Sequence, residues 1–271
     1  MKVLFSFYLF LTAKLFAAED GMSFIERISP PEDISENGHL IDWLFNYITI
    51  MDAIFFFFVC LGIFGFSYLY SAKRSKRGEY TYGNRKGQIL VATAIGALVF
   101  FCIDLNITRI ANNDYVGTFI NWPKADEDVV KVQVLAQQWM WNVRYAGKDQ
   151  TFNTEDDVVT TNDLRLPTGK KIVVQVLSKD VIHSFSLPNV RRKVDAIPGR
   201  ITRIWFQLKK TGNYEIVCAE MCGTAHYKMR GEMTVYSPQE YQAWLDESQS
   251  IAVAENDPEN ADQFWGWKWE N

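Results

Sequence analysis

The segment Cys218-Ala219-Glu220-Met221-Cys222-Gly223-Thr224-Ala225-His226-Tyr227-Lys228-Met229 concentrates the soft metal ligands of this chain. The whole sequence has only three histidines and four cysteines. Two of the cysteines lie in apolar segments and one histidine lies near the N-terminus, which leaves His183 as the other candidate ligand. Thiolates stabilise Cu(I), imidazoles accept both oxidation states, and a weak thioether tunes the potential. This ligand set predicts a copper site that transfers electrons.

The second cysteine of the segment indicates how many metal ions the site holds. A mononuclear blue-copper site uses one cysteine, two histidines and a methionine, so one thiolate would be left over. Two thiolates can instead bridge two coppers, each of which takes one histidine. A disulfide or a zinc site is the alternative, because both use cysteines at such spacings. Zinc has little use for a thioether and a disulfide has no use for histidines, so the pattern favours binuclear copper.

These motifs resemble those of cytochrome c oxidase subunit II, which carries the binuclear CuA centre. The matching patterns are C-x-E-x-C-x3-H-x2-M from Cys218, D-V-I-H-S-F from Asp180, D-A-I-P-G-R from Asp195 and Q-W-M-W from Gln138. The resemblance implies that Cys218 and Cys222 bridge two coppers and that His183 and His226 each bind one. It also implies that Met229 and the Glu220 carbonyl are weak ligands, and that the Glu220 carboxylate faces a Mg²⁺ shared with the catalytic subunit.

The resemblance also suggests where electrons arrive. Trp139 matches the tryptophan against which the electron donor docks, although Met140 replaces an aromatic residue that is common in the family. A basic cytochrome c, or a small copper protein, would be the donor. Acidic residues steer basic partners, so the acidic cluster that follows the tryptophan is the predicted docking site; it comprises Asp149, Glu155, Asp156 and Asp157.

Two apolar segments precede the β-rich region. Ala53 to Tyr70 carries no charge over 18 residues, which is long enough to cross a bilayer, and the second segment runs from about Gln88 to Ile110. The basic loop between them contains Lys73, Arg74, Lys76, Arg77, Arg85 and Lys86. Because basic loops stay in the cytoplasm, we expect a two-helix hairpin in a bacterial-type inner membrane, in contact with lipid, with the C-terminal domain in the periplasm. Gln88 stands where many family members have an acid, so no proton-path role is predicted.

The region after Val129 changes to short β-rich runs. Residues Val130 to Val134 and Ile172 to Val176 alternate between apolar and polar, Ile201 to Leu208 is β-branched and aromatic, and turn residues separate the runs. Such a pattern predicts a Greek-key sandwich or barrel, which the resemblance narrows to an all-β cupredoxin-like domain. The metal loop would join a strand ending near Val217 to one starting near Gly231.

The chain therefore divides into five predicted parts. Residues 1–18 read as a signal peptide, with an uncleaved anchor as the alternative, and residues 19–45 form a periplasmic N-terminal segment. The transmembrane hairpin spans 46–112 and the exported cupredoxin domain spans 113–250. That domain ends in a helix from Ser237 to about Glu247, where Ser237 and Glu240 form a capping box. The acidic, Trp-rich tail at 251–271 is predicted to dock against a partner subunit.

The predicted function is to receive electrons for a terminal oxidase and pass them to haem in the catalytic subunit during oxygen reduction. The copper subunit of a nitric oxide reductase is one alternative, because the terminal reaction belongs to another subunit. A membrane-tethered copper chaperone or thiol reductant is another, although such proteins usually have one span and a helix after the first cysteine. The formal net charge of -4 gives no indication of nucleic-acid binding.

Overall fold

The computed structural model describes residues 29–74, 80, 82–124, 128–154 and 156–255. The predicted signal peptide, Glu155 and all but the first residues of the predicted C-terminal tail lie outside the described residues. Within the described part, two long apolar helices are followed by a β-sandwich and a final helix. This order confirms the fold class predicted from the sequence.

The two long helices each carry a long apolar segment. Helix α1 spans Gly38–Leu69, and α2 (Lys86–Val99) continues through a π-helical turn, α3 (Leu105–Tyr115) and a second π-helical turn to Ile120. Both are long and apolar enough to cross a membrane. Phe56, Phe64 and Leu90 are at least 70% exposed, which a chain in water would avoid and a lipid environment favours.

Both helices are longer than the apolar patterns predict. Helix α1 begins at Gly38 and not near Ala53, so its 32 residues extend about 48 Å, well beyond the roughly 30 Å hydrocarbon core. Its extra turns carry Asp42, whose carboxylate accepts hydrogen bonds of 2.6 and 2.9 Å from the Arg191 guanidinium. Residues beyond the apolar segment thus stay helical because the C-terminal domain holds them.

The C-terminal domain is a sandwich of two five-stranded sheets. One sheet has the order β3-β2-β1-β5-β8 and the other β4-β10-β9-β6-β7. The strands are β1 Val129–Gln137, β2 Met140–Tyr145, β3 Val158–Thr161, β4 Asp163–Pro167, β5 Lys171–Ser178, β6 His183–Leu187, β7 Arg192–Ala196, β8 Thr202–Gln207, β9 Gly212–Cys218 and β10 Arg230–Tyr236. The three predicted strands appear as β1, β5 and β8, and the predicted metal loop lies between β9 and β10.

The core lies between the two sheets. It contains Trp141, Phe185, Leu164 and Ile172, all fully buried, with the inward residues of the other strands around them. Full burial of a large apolar side chain contributes about 1.5–3 kcal/mol. This packed core fixes the ends of β6 and β9, where the first predicted metal ligands stand.

The N-terminal segment is part of the domain, although the sequence-based division at residue 113 leaves it out. Ile34 is fully buried in the core cluster. Its amide donates to the Asn189 carbonyl at 2.9 Å, and its carbonyl accepts from the Lys209 amide at 2.9 Å. A lone apolar residue in a polar stretch gives no periodic signal, so this contact appears only in the folded chain.

The C-terminal helix α4 spans Pro238–Glu255 and is longer than predicted. Its start is the predicted capping box: the Glu240 amide donates to Ser237 Oγ at 3.4 Å, and the Ser237 amide donates to the Glu240 carboxylate at 3.0 Å. Tyr241 and Trp244 pack on the sandwich, where Trp244 meets the Tyr145 ring edge-on at 5.0 Å. Beyond Glu247, Gln249 is buried and Ala252 packs against the core cluster, which explains why the helix continues.

Candidate metal centre

The predicted ligands come from two adjacent strands and the loop after them. His183 opens β6 and Cys218 ends β9, and Phe185 of β6 pairs directly with Cys218. The loop then carries Cys222, His226 and Met229 back to the start of β10. The antiparallel pairing of β6 and β9 therefore places residues 35 positions apart in the sequence at one end of the sandwich.

Cys222 is the hub of the cluster. Its Sγ lies 3.7 Å from Cys218 Sγ, 3.5 Å from His226 Nδ1 and 3.7 Å from Met229 Sδ. Met229 Sδ lies in turn 3.2 Å from His183 Nδ1. The ligand atoms of His183, Cys218 and Cys222 lie within 4.8 Å of one another, whereas His226 reaches the group through Cys222. The five side chains thus meet around the Sγ atoms of Cys218 and Cys222.

The cluster fits a soft metal and not a disulfide. All four cysteines are free, and the 3.7 Å between the two Sγ atoms is far longer than the roughly 2 Å of a disulfide bond. Burial, together with the neighbouring Cys218, raises the pKa of the Cys222 thiol to about 12. A metal must therefore displace a proton from Cys222 when it binds. Thiol, imidazole and thioether atoms facing one another are the donors that copper prefers.

Asp180 orients His183, a role that the sequence analysis did not assign. Its Oδ1 lies 2.8 Å from His183 Nε2, so the other ring nitrogen, Nδ1, faces the sulfur atoms. Burial raises the pKa of Asp180, but hydrogen bonds with His183 and with the amides of Gln138 and Val181 outweigh it and leave that pKa below its usual value. A carboxylate that holds the far nitrogen of a ligating histidine is common at metal sites. The D-x-x-H spacing of Asp180 and His183 was the feature of the sequence that could have indicated this role.

Glu220 presents two different groups to its surroundings. Its backbone carbonyl accepts a hydrogen bond of 3.2 Å from Cys218 Sγ, at the edge of the ligand cluster. Its side chain is exposed. The carbonyl is thus placed to contact a metal held by Cys218, while the carboxylate faces outward.

Trp139 touches the metal loop. Its indole Nε1 donates to the Cys222 carbonyl at 3.3 Å, and the Gln138 side-chain amide donates to the same oxygen at 2.8 Å. Gly223 permits this approach: its φ of +120° suits glycine, and a Cβ there would lie 3.2 Å from the Trp139 ring. Trp139 is only partly buried, whereas Trp141 is fully buried against Phe185 and His183. The two tryptophans therefore have different environments.

The structure corrects the predicted docking role of Asp157. Asp157 is 3% exposed, and its Oδ2 lies 3.6 Å from Nη1 of the fully buried Arg144. Asp149 and Asp156 are more exposed, but their carboxylates accept hydrogen bonds from the amides of Thr151 and Lys148. The sequence could not distinguish a charge that pairs inside the domain from one that faces solvent.

The acidic loop is also remote from Trp139. Strand β2 starts directly after Trp139 and runs six residues to Tyr145, and the loop carrying Asp149 and Asp156 follows it. At about 3.4 Å per residue, the loop lies on the order of 20 Å from Trp139. These two acids can contribute to long-range steering but not to the contact at Trp139.

We expect Asp157→Asn to lower the free energy of unfolding at pH 5 by about 2 kcal/mol, within the 1–3 kcal/mol cost of an uncompensated buried polar group, because an amide offers one oxygen fewer than the carboxyl group that faces the Asn153 amide and Arg144. Burial raises the pKa of Asp157 to about 6, against the opposing effects of the Asn153 amide and Arg144. Because the folded chain binds this proton more tightly than the unfolded chain, ionisation of Asp157 lowers the stability of the parent as the pH rises from about 4 through about 6. The loss caused by the variant, which has no proton to release, should therefore be smaller at pH 8 than at pH 5. Urea unfolding of the full chain in detergent measures both values. Asp149→Asn is the matched control, for which a change below about 0.5 kcal/mol is expected.

Three comparisons identify similar proteins. The family model for the periplasmic domain of cytochrome c oxidase subunit II matches residues 130–234. The alternative cytochrome c oxidase subunit 2 of Bradyrhizobium diazoefficiens is 31% identical over 204 residues, which cover 66% of this chain and 70% of that protein. Cytochrome c oxidase subunit 2 of Cereibacter sphaeroides is 26% identical over 245 residues, or 77% of this chain and 76% of that protein. The crystal structure of the periplasmic domain of subunit II (CoxB) of Bradyrhizobium japonicum is 30% identical and covers 48% of this chain and 97% of its own, with a TM-score of 0.41.

Proposed function

Because this chain belongs to the cytochrome c oxidase subunit II family, we propose that it is the subunit through which electrons reach a terminal oxidase. It would take electrons from cytochrome c or a small copper protein at a CuA centre and pass them to haem in the catalytic subunit I. Its relatives are named as oxidase subunits, so oxygen is the proposed terminal acceptor and the nitric oxide reductase alternative is not favoured.

The observation that carries this proposal is the convergence of two thiols, an imidazole and a thioether at one end of the sandwich. Cys218 Sγ, Met229 Sδ and His226 Nδ1 all lie within 3.7 Å of Cys222 Sγ. When bound there, two coppers bridged by the thiolates would share one transferred electron with little change of geometry. A single-metal site would have no use for the second, closely placed thiol.

The distances also suggest how the other ligands divide. Met229 Sδ lies 3.2 Å from His183 Nδ1, so these two residues would serve one copper. His226 and the Glu220 carbonyl lie next to different cysteines and would serve the other. The Glu220 carboxylate, which is exposed, is the proposed ligand of a Mg²⁺ shared with subunit I.

The surface around the cluster suits transient contact with redox partners. Ile182, Met221 and Tyr227, each next to a proposed ligand, are 48%, 75% and 73% exposed. Exposed apolar side chains grouped in this way mark interaction sites. Trp139 is the proposed point of electron arrival on this surface, and Asp149 and Asp156 would act on the approach of a basic donor from a distance.

The copper chaperone or thiol reductant alternative is disfavoured by the setting of the cysteines. Cys218 ends a strand and Cys222 lies in a loop, so the helix that such proteins usually have after the first cysteine is replaced here by a loop. Helix α1 and the helix from Lys86 to Ile120 also supply two candidate spans. We propose that both cross a bacterial-type inner membrane and that the sandwich lies in the periplasm.

Electron paramagnetic resonance of the full chain loaded with copper tests the proposed function. The oxidised protein should contain two coppers per chain and show hyperfine structure from two equivalent nuclei, because the thiolates are shared. Hyperfine structure from one nucleus, a copper ratio near one, or preferential retention of zinc would contradict the proposal.

A reporter that is active only outside the cytoplasm tests the proposed topology. It should be silent when fused at Gly78, in the basic loop, and active when fused to Asn271, because the basic loop stays inside. The opposite pattern of activity would reverse the hairpin and place the metal centre in the cytoplasm.

A further inference from the structure

A second site candidate lies on the outer face of the β3-β2-β1-β5-β8 sheet, away from the metal cluster. A cavity of about 660 Å³ opens there between the chain that leaves the second long helix, the loop at residues 150–153 and strands β1, β5 and β8. Trp122 and Phe152, which belong to different chain segments, both line its wall. The volume is in the range of small-molecule sites.

The rim of this cavity is positively charged. Lys124, Lys131 and Arg203 line it and are exposed. Among the described lining residues there is no aspartate or glutamate. Three cations with no acid among the described lining residues attract an anion, and guanidinium and ammonium groups together are typical of phosphate sites.

The floor of the cavity has an unused polar atom. Gln133 is 2% exposed, and its amide nitrogen donates to Gln175 Oε1 at 3.0 Å. Its own Oε1 is buried and has no hydrogen-bond partner among the described residues. The reverse assignment of the amide would leave its nitrogen open in the same way. A buried polar atom without a partner costs about 1–3 kcal/mol, which a ligand hydroxyl would recover.

We propose that this cavity binds a hydroxylated phosphate anion, with the phosphate on Lys131 and Arg203 and a hydroxyl on Gln133. A glycerol phosphate group has this chemistry, either free in solution or as the headgroup of phosphatidylglycerol. The position favours the lipid source: Trp122 and Lys124 follow the apolar helix that ends at Ile120, and tryptophan and lysine are typical of the membrane interface.

Calorimetric titration of the full chain in a phosphate-free detergent tests the site. The ligands are glycerol phosphate, short-chain phosphatidylglycerol, and short-chain phosphatidylcholine, which keeps a phosphate but lacks the hydroxyls and the net charge. We expect saturable one-site binding of phosphatidylglycerol, and at least about tenfold weaker binding of phosphatidylcholine. If glycerol phosphate binds as tightly as phosphatidylglycerol, the free anion is the ligand. If glycerol phosphate does not bind and phosphatidylglycerol does, the lipid is the ligand.

Two variants locate the binding. Lys131→Gln combined with Arg203→Gln should weaken binding at least about tenfold, because both are charge-assisted contacts. The control, Lys148→Gln combined with Lys210→Gln, removes the same charge from exposed ion pairs elsewhere. It should change the binding affinity less than about twofold. Gln133→Leu should also weaken binding, with thermal unfolding as the check on folding. The proposal is wrong if neither glycerol compound binds, or if the rim variant binds as tightly as its control.

Discussion

Cys222→Ser is expected to abolish the binuclear copper signal completely. Cys222 Sγ is the atom that contacts Cys218, His226 and Met229 at once, so no other side chain can replace it as a bridge. A serine hydroxyl is a harder donor that stays protonated at neutral pH, and copper prefers a thiolate. The loss of copper affinity should exceed the roughly 10–100-fold loss caused by changes in residues that only orient ligands.

Copper analysis and paramagnetic resonance of the purified variant measure this effect. Cys60→Ser is the matched control, because Cys60 lies in α1, far along the chain from the cluster, and should leave two coppers bound. Circular dichroism confirms that the sandwich is folded in both. If Cys222→Ser keeps two equivalent coppers, the thiolate bridge is wrong and with it the function proposed from the cluster.

The strands and the metal loop could be predicted because their signals are local. Alternation of apolar and polar residues indicates β1 and β5 directly, and the ligand spacing after Cys218 indicates one site. The capping box at Ser237 is similarly local and is confirmed by the bonds between Ser237 and Glu240. Each of these features depends on residues within about ten positions of one another.

The features that sequence reasoning missed depend on contacts across the fold. Ile34 enters a core built from residues far along the chain, and Asp157 faces Arg144 because the loop folds back over the sheet. Asp180 could have been identified from its spacing to His183. Its orienting role, however, becomes visible only when the ring nitrogen distances are known.

The metal loop is held from both sides by groups that are not ligands. Asp180 fixes His183 from one side, and Gln138 and Trp139 hold the Cys222 carbonyl from the other. Rigid outer groups keep a redox site in one geometry through both oxidation states. Because two donors hold one carbonyl, we expect that either can be removed without freeing the loop, which separates the structural role of Trp139 from its proposed electronic role.

Trp139→Gln is therefore expected to slow electron transfer from cytochrome c by about 100-fold, an effect of the size seen when reaction partners are misplaced, while copper content and spectrum stay unchanged. The indole lies against the loop, 3.3 Å from the Cys222 carbonyl, and is partly exposed to an approaching donor. The variant removes that aromatic contact. Gln138 still donates to the same carbonyl at 2.8 Å, so the ligands should keep their positions.

Stopped-flow reduction of the copper-loaded chain by cytochrome c separates the two roles. Trp139→Phe keeps an aromatic edge against Gly223 and should recover most of the rate. If Trp139 only packs against the loop, Trp139→Gln and Trp139→Phe should transfer electrons at the same rate when their copper contents are equal. Trp122→Gln, at an exposed tryptophan outside the metal loop, should react as the parent does. Parental rates in Trp139→Gln with normal donor binding would mean that electrons reach the cluster by another surface, with the exposed Met221 and Tyr227 beside the ligands as the next positions to test.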